Sequence, residues 1–80
     1  MIQYSKEAEK FILSQGKQSA MRLYNAIEKL PLGDIKRLQG TKTPPLYRLR
    51  VGDYRVVFCV DPEQITILRV DNRGDVYKKI

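Results

Sequence analysis

The chain has 80 residues, 42% of them apolar, and a formal net charge of +6, which predicts one small folded domain over residues 1–80. It contains no histidine and one cysteine, which excludes a disulfide framework, a structural zinc site and a Cys–His nucleophile, and we predict no metal and no cofactor. No apolar run approaches the roughly 20 residues of a membrane span and the first residues lack a signal-peptide core, so we expect a cytoplasmic protein without a membrane partner.

The first half of the chain carries helical patterns. Residues 2–4 predict a short strand, and Ser5 suits a helix N-cap. A first helix is expected to end near Gly16, and a second to run over about residues 17–29. The apolar stripes of these helices are expected core faces: Ala8, Phe11 and Ile12 in the first, and Ala20, Leu23, Tyr24 and Ile27 in the second.

The second half carries strand patterns. Residues 32–45 predict a polar connection that ends at Pro44-Pro45, and the segments 47–58 and 65–70 are rich in strand-forming residues. We therefore predict an α+β fold with an N-terminal strand, a helical hairpin and then antiparallel strands that form one small twisted sheet, with the helices on one side.

Residues 47–58 predict a β-hairpin with Gly52-Asp53 at its turn. In that register Arg50 lies opposite Arg55, and Arg48 shares their face. Like charges opposite each other destabilise a sheet, so these arginines call for an anion, and an RNA phosphate suits the guanidinium fork.

Other side chains of this region have simpler expected roles. Tyr47 and Tyr54 point to the opposite face and are expected to pack in the core. Cys59 follows in the same apolar pattern and is expected to be a small buried core thiol. Arg69 is expected to pair at the surface with Asp71 or Asp61.

The positive charge is concentrated in the second half of the chain. Residues 36–80 contain ten basic and five acidic residues, against five and four in residues 1–35. This asymmetry favours a nucleic acid or an acidic protein as the partner, although a basic face also serves solubility.

Four motifs resemble the RelE/ParE superfamily, the toxins of type II toxin–antitoxin pairs. They are Leu38-Gln39-Gly40, Tyr47-Arg48-Leu49-Arg50, residues 52–58 (GDYRVVF) and residues 71–77 (DNRGDVY). The resemblance implies the RelE-like fold and a cognate antitoxin as partner. Its RelE branch, which we favour from the compact length and the Tyr-Arg-Leu-Arg strand, cleaves messenger RNA in the ribosomal A site.

The resemblance also implies candidate catalytic residues. The family's positions fall on Arg50, Arg55, Arg73 and Tyr77, with Arg48 expected to orient the RNA. Well-studied relatives carry lysines where this chain has Arg48 and Arg50, and Asn72 stands where relatives often have His or Lys.

The implied reaction is attack of a ribose 2′-hydroxyl on the adjacent phosphate, which needs a base, an acid and stabilisation of the phosphate charge. Arg55 and Arg73 suit the last task. Arginine keeps its proton, so Tyr77 is the remaining candidate base, although a tyrosine ordinarily titrates near ~10. A slow enzyme that depends on the ribosome for substrate positioning is therefore expected. Packing of the Tyr77 ring against the sheet is the alternative of equal weight.

The remaining basic residues have two possible roles. Lys36, Arg37 and Lys42 form a basic run that is either a solvated loop or a contact to ribosomal RNA, and Lys78 extends that possibility to the C-terminus.

Two other functions fit the same residues. A ParE-like protein inhibits DNA gyrase through protein contacts without being a nuclease, and a basic binding domain could have lost toxicity. Asn72 and the missing lysines keep the last reading open.

Overall fold

The computed structural model of the chain describes residues 1–38 and 45–72. Two helices pack against one face of a five-stranded sheet. The elements follow in the order β1 (Ile2–Tyr4), α1 (Lys6–Ser14), α2 (Lys17–Glu28), β2 (Asp34–Arg37), β3 (Leu46–Val51), β4 (Tyr54–Val60) and β5 (Ile65–Asn72). The predicted α+β fold is confirmed. Neither helix in the described ranges is long and apolar enough to cross a membrane.

The strands lie in the order β1-β5-β4-β3-β2. The neighbours β5, β4, β3 and β2 pair antiparallel, as predicted, whereas β1 runs parallel to β5, with Ile2 opposite Ile65. The parallel pair forms because the chain crosses from one edge of the sheet to the other through the helical hairpin before the remaining strands return.

Strand β2 lies inside the segment that was predicted to be a polar connection, so that prediction was wrong for Asp34–Arg37. This edge strand has four residues, and only Ile35 is partly buried. A strand this short, with one side chain toward the core, shows no repeated apolar alternation that sequence reasoning could detect.

The helices begin and pack as the sequence indicates. The Ser5 side chain accepts a hydrogen bond from the Ala8 backbone N–H and caps α1. The predicted helical stripes are confirmed as core faces, with Phe11 and Tyr24 only partly buried. The fully enclosed core residues of the helices are Ala8, Ile12, Ala20, Leu23 and Ile27, and they face Leu49, Val51, Val56, Phe58, Ile67 and Val70 of the sheet.

The hairpin between β3 and β4 has the predicted register, with Val51 opposite Tyr54. Gly52 has φ +59°, and no non-glycine residue in the described ranges has a positive φ. A positive φ at the first central position alone is typical of a type II′ turn, whose twist matches that of the flanking strands. The turn therefore fixes which side chains of β3 and β4 share a face.

Candidate nucleic-acid interface

Strand β5 contains one extra residue relative to β4. Val57 pairs with Arg69, whereas the next residue of β4, Phe58, pairs with Ile67. Leu68 is therefore the extra residue of a β-bulge and has no partner position on β4.

The bulge decides which residues of β5 face the helices. In a regular strand, residues 67, 69 and 71 would share one face. In the structure, Ile67 and Val70, three positions apart, are both buried in the core. Arg69 and Asp71 therefore lie on the outer face of the sheet, the face away from the helices.

Four arginines share this outer face. Arg50 pairs directly with Arg55, as the hairpin pattern predicted. Arg48 lies two residues earlier on β3 and pairs with Val57, which in turn pairs with Arg69. We call Arg48, Arg50, Arg55 and Arg69 the arginine face.

Carboxylates of the chain itself neutralise part of the arginine face. Asp71 lies opposite Arg55, and its Oδ2 accepts a hydrogen bond from Arg55 Nη2 at 3.1 Å and lies 3.6 Å from Arg69 Nε. Asp34 Oδ2 lies 3.8 Å from Arg50 Nε. The predicted pairing of Arg69 with Asp71 is confirmed. The expectation that the arginines need an external anion was incomplete, since two carboxylates supply part of the compensation.

Three polar atoms in this region have no hydrogen-bond partner among the described residues, although each is shielded from solvent. They are Arg48 Nη1, Arg55 Nε and Asp71 Oδ1. Leaving a buried donor or acceptor unpaired costs about 1–3 kcal/mol, and more for a charged group. These three atoms are therefore a local energetic cost of packing the arginine face, and they lie beneath its solvent-exposed surface.

The other predicted RNA-binding residues do not all lie on the outer face. Lys36 lies opposite Arg48 on the outer face, whereas Arg37 lies opposite Tyr47 and so points to the other side of the sheet. Both residues belong to β2, so the solvated-loop interpretation was wrong for them. Contact of either residue with RNA stays a prediction. The predicted site residues Lys42, Arg73, Tyr77 and Lys78 lie outside the described residues.

The two tyrosines of the hairpin point to the core face, as predicted. The Tyr47 ring stacks on Phe58 with 5.6 Å between centroids. The Tyr54 ring meets Phe11 edge-on, and its hydroxyl donates to Gln15 Oε1 at 3.0 Å. These rings stabilise the fold and leave the outer face to the arginines.

Cys59 was expected to be a core thiol, and this was wrong. Phe58 is buried, so the next residue, Cys59, points to the outer face and is only partly buried. An apolar run on a strand does not reveal which of its residues face the core when both faces carry apolar side chains.

Sequence reasoning did not predict the pairing of Asp71 with Arg55. Placing that carboxylate beside Arg55 requires the pairing of β4 with β5, including the bulge at Leu68, and neither is encoded in local spacing. The signal available in the sequence was one acidic residue, Asp71, close to the arginines of the predicted strands.

A separate groove lies between α2 and β3, with a volume of about 600 Å³. Met21 and Leu32, both well exposed, line it together with the basic residues Arg22, Lys29 and Arg50. Its surface is thus apolar with a basic border, which suits an amphipathic acidic segment of a partner protein.

Comparison with known proteins gives a consistent result. Residues 2–77 match the family model described as the ParE toxin of the type II toxin–antitoxin system, parDE. Toxin RelG of Mycobacterium tuberculosis is 34% identical over 67 residues, which cover 72% of this chain and 77% of RelG.

Solved structures resemble the whole fold. The archaeal RelE–RelB complex from Pyrococcus horikoshii contains a chain that is 32% identical, with a TM-score of 0.72, and the match covers 91% of this chain and 93% of that one. The RelB–RelE antitoxin–toxin complex from Methanococcus jannaschii gives 28% identity and a TM-score of 0.71 over 98% of both chains.

Proposed function

This chain belongs to the ParE toxin family of type II toxin–antitoxin systems, and on that premise we propose that it is an endoribonuclease that cleaves messenger RNA in the ribosomal A site. The observation that carries the proposal is the arginine face, four arginine side chains on adjacent strands whose positive charge two carboxylates neutralise only in part. A ribosomal target would place the protein in the cytoplasm.

The proposed reaction is attack of a ribose 2′-hydroxyl on the adjacent phosphate, leaving a 2′,3′-cyclic phosphate and a 5′-hydroxyl end. Arg55 and Arg73 stabilise the charge that develops on the phosphate, because a fixed guanidinium donates two hydrogen bonds to its oxygens. Arg48, Arg50 and Lys36 hold the RNA backbone.

Positioning by the ribosome explains how so small a site can act. In-line attack requires the reacting nucleotide to be held in one orientation, and the arginine face lies on the outer surface of the sheet. Binding to the ribosome would supply that orientation, which contributes a large share of the barrier reduction in such reactions. Cleavage of free RNA is therefore expected to be far slower than cleavage on the ribosome.

The partner is a cognate antitoxin. The RelE chains similar to this one were solved in complex with RelB. The groove between α2 and β3, with its exposed Met21 and Leu32 and its border of Arg22 and Lys29, fits an acidic amphipathic segment. Charge-steered binding of this kind weakens as salt is added.

The test is cleavage of a defined messenger RNA on programmed ribosomes, with primer extension to locate the new ends. Wild-type protein should give cuts in the A-site codon, and Arg55→Ala and Arg73→Ala should abolish both the cuts and growth arrest. Lys10→Ala, which removes an exposed charge from α1 on the other side of the sheet, is the control and should cut normally. Wild-type protein that arrests growth without cutting the messenger would contradict the proposal.

The family match favours one alternative. Because the matching family model is that of ParE toxins, inhibition of DNA gyrase is the second candidate function. A supercoiling assay with purified gyrase separates the two, since an RNA-cleaving toxin leaves supercoiling unchanged. A chain that fails both assays and permits growth would be a binding domain without toxicity.

A further inference from the structure

The outer face of the sheet carries its charges in two neighbouring rows that run across the strands. The first row consists of Asp34, Arg50, Arg55 and Asp71, which lie opposite one another on β2, β3, β4 and β5. A carboxylate flanks each arginine, with Asp34 Oδ2 at 3.8 Å from Arg50 Nε and Asp71 Oδ2 at 3.1 Å from Arg55 Nη2. The charges of this first row therefore cancel one another.

The second row, two residues further along each strand, has a different composition. It consists of Lys36, Arg48, Val57 and Arg69, which again lie opposite one another on the same four strands. We call Lys36, Arg48 and Arg69 the basic row. Within the part of the chain that the structure describes, Lys36 and Arg48 form no ion pair. The uncompensated positive charge of the outer face is thus concentrated in the basic row.

Arg69 is only weakly engaged by the acidic residue beside it. Its Nε lies 3.6 Å from Asp71 Oδ2, an oxygen that already accepts a hydrogen bond from Arg55 at 3.1 Å. The Arg69 side chain is 65% exposed, and ion pairs at exposed positions contribute little free energy. The Arg69 guanidinium is therefore available to a second anion.

The length of the basic row indicates the kind of anion. Neighbouring strands lie about 4.8 Å apart, so a row from β2 to β5 spans about 14 Å. A single phosphate cannot contact both ends of such a row, whereas the backbone of a nucleic acid repeats its charge along the strand. A guanidinium fork also matches the oxygens of a phosphate.

We propose that Arg69 is an RNA-binding residue and that the basic row is a track for successive phosphates of the RNA strand; the inference rests on the proposed function for the choice of RNA as the ligand. The strand would run across the sheet, past Val57 and beside Arg55, its neighbour on the same face of β4. Because Asp71 already compensates Arg55, the affinity for RNA comes mainly from the basic row.

An acidic protein segment is the less favoured ligand of the basic row. Such a segment is usually anchored by apolar side chains as well as by charge. The well-exposed Met21 and Leu32 would supply apolar contacts, but they line the groove between α2 and β3, to which no member of the basic row belongs.

The test is binding of a short single-stranded RNA by purified protein, measured by fluorescence anisotropy over a range of salt concentrations. Arg69→Ala should weaken binding and make the slope of log K against log salt shallower by about 0.7, the value for one phosphate contact of a single strand. Arg69→Lys keeps the charge and should restore most of the slope. Because the Arg69 side chain is largely exposed, both variants should fold.

Lys10→Ala is the matched control, since it removes the same charge from an exposed position of α1. It should keep the wild-type slope. Equal losses for Arg69→Ala and Lys10→Ala would mean that RNA responds only to the net charge of the protein, and the proposal would be overturned.

An oligoglutamate peptide with as many charges as the RNA tests the other ligand class. It should bind more weakly than RNA, and Arg69→Ala should leave its affinity unchanged. Tighter binding of oligoglutamate that is lost in Arg69→Ala would assign the basic row to an acidic protein segment and overturn the assignment to RNA.

The outcomes separate this inference from the proposed function. If wild type cuts messenger RNA on ribosomes but Arg69→Ala binds the short RNA like Lys10→Ala, the track is wrong and the endoribonuclease proposal stands. If wild type gives no cuts but Arg69→Ala lowers the salt slope, the proposed function fails and the RNA-binding role of Arg69 is supported.

Discussion

Ser5 lies beside the bulge of β5, and its hydroxyl donates to the Leu68 carbonyl at 2.8 Å. The same oxygen accepts the hydrogen bond from the Ala8 N–H at 3.0 Å, so one side chain both caps α1 and satisfies the carbonyl of the extra residue. The backbone N–H of Ser5 also donates to the Ile67 carbonyl at 2.9 Å. The start of α1 is thus bonded to the irregularity that turns Asp71 toward the arginine face.

Ser5→Ala should destabilise the protein by about 1–2 kcal/mol, because it removes a helix cap and leaves the Leu68 carbonyl without its donor. The measurement is the free energy of unfolding in urea. Ser14→Ala on the same helix is the control, since the Ser14 hydroxyl donates back to the Phe11 carbonyl and accepts from Gln15 Nε2, both at exposed positions, and should contribute little. Equal effects of the two substitutions would contradict the double role of Ser5.

Gly52→Ala should destabilise the protein by about 1–2 kcal/mol, because Gly52 has φ +59°, where a β-carbon is strained. A β-carbon there would also lie 2.7 Å from Arg22 Nη2. That guanidinium is the end of a flexible side chain and can move, so the cost should come from the backbone.

The Arg22→Ala background distinguishes these two contributions. Urea unfolding should show the same loss for Gly52→Ala with and without Arg22. A loss that disappears in the Arg22→Ala background would mean that the steric contact dominates.

Tyr54→Phe should cost about 1 kcal/mol, the usual contribution of one hydrogen bond, because the hydroxyl donates to Gln15 Oε1 at the end of α1. The edge-on contact of the ring with Phe11 is preserved. A double-mutant cycle with Gln15→Ala measures the interaction by thermal unfolding. A coupling energy near zero would show that the hydroxyl is equally satisfied by water.

Tyr4 should make stability depend on alkaline pH. Burial, followed by the nearby Glu28, Tyr24 and Glu9, raises the pKa of Tyr4 to about 12. The unfolded side chain loses its proton near the ordinary value of 10.0, while the folded one keeps it. Stability is therefore lost as the pH rises from about 10 towards 12.

Tyr4→Phe should remove that share of the alkaline loss, and at neutral pH it should be neutral or stabilising because the buried hydroxyl lacks a partner among the described residues. The comparison is the difference in unfolding free energy between variant and wild type at each pH, which cancels the titration of other groups. A constant difference from pH 8 to 12 would show that Tyr4 does not contribute.

The sequence predicted the features that local patterns encode. The helix cap at Ser5, the helical stripes and the Gly52 turn each depend on neighbouring residues, and the turn alone placed Arg50 opposite Arg55. The position of Asp71 depends on how β4 pairs with β5 across the bulge, which no local pattern reports. Strand β2 was not predicted because its pairing with β3, rather than a strand-like composition, makes Asp34–Arg37 a strand.

The parallel pairing of β1 with β5 has a consequence for synthesis of the chain. Ile2 and Tyr4 pair with Ile65 and Ile67, so the first strand made has its neighbour in the last strand described. Contacts of such long sequence separation form late in folding. A growing chain that has not yet reached β5 lacks both the partner of β1 and the carboxylate that faces Arg55. The arginine face is therefore assembled only after β5 has been made, and a nascent chain that stops before β5 presents the arginines of β3 and β4 without Arg69 and Asp71.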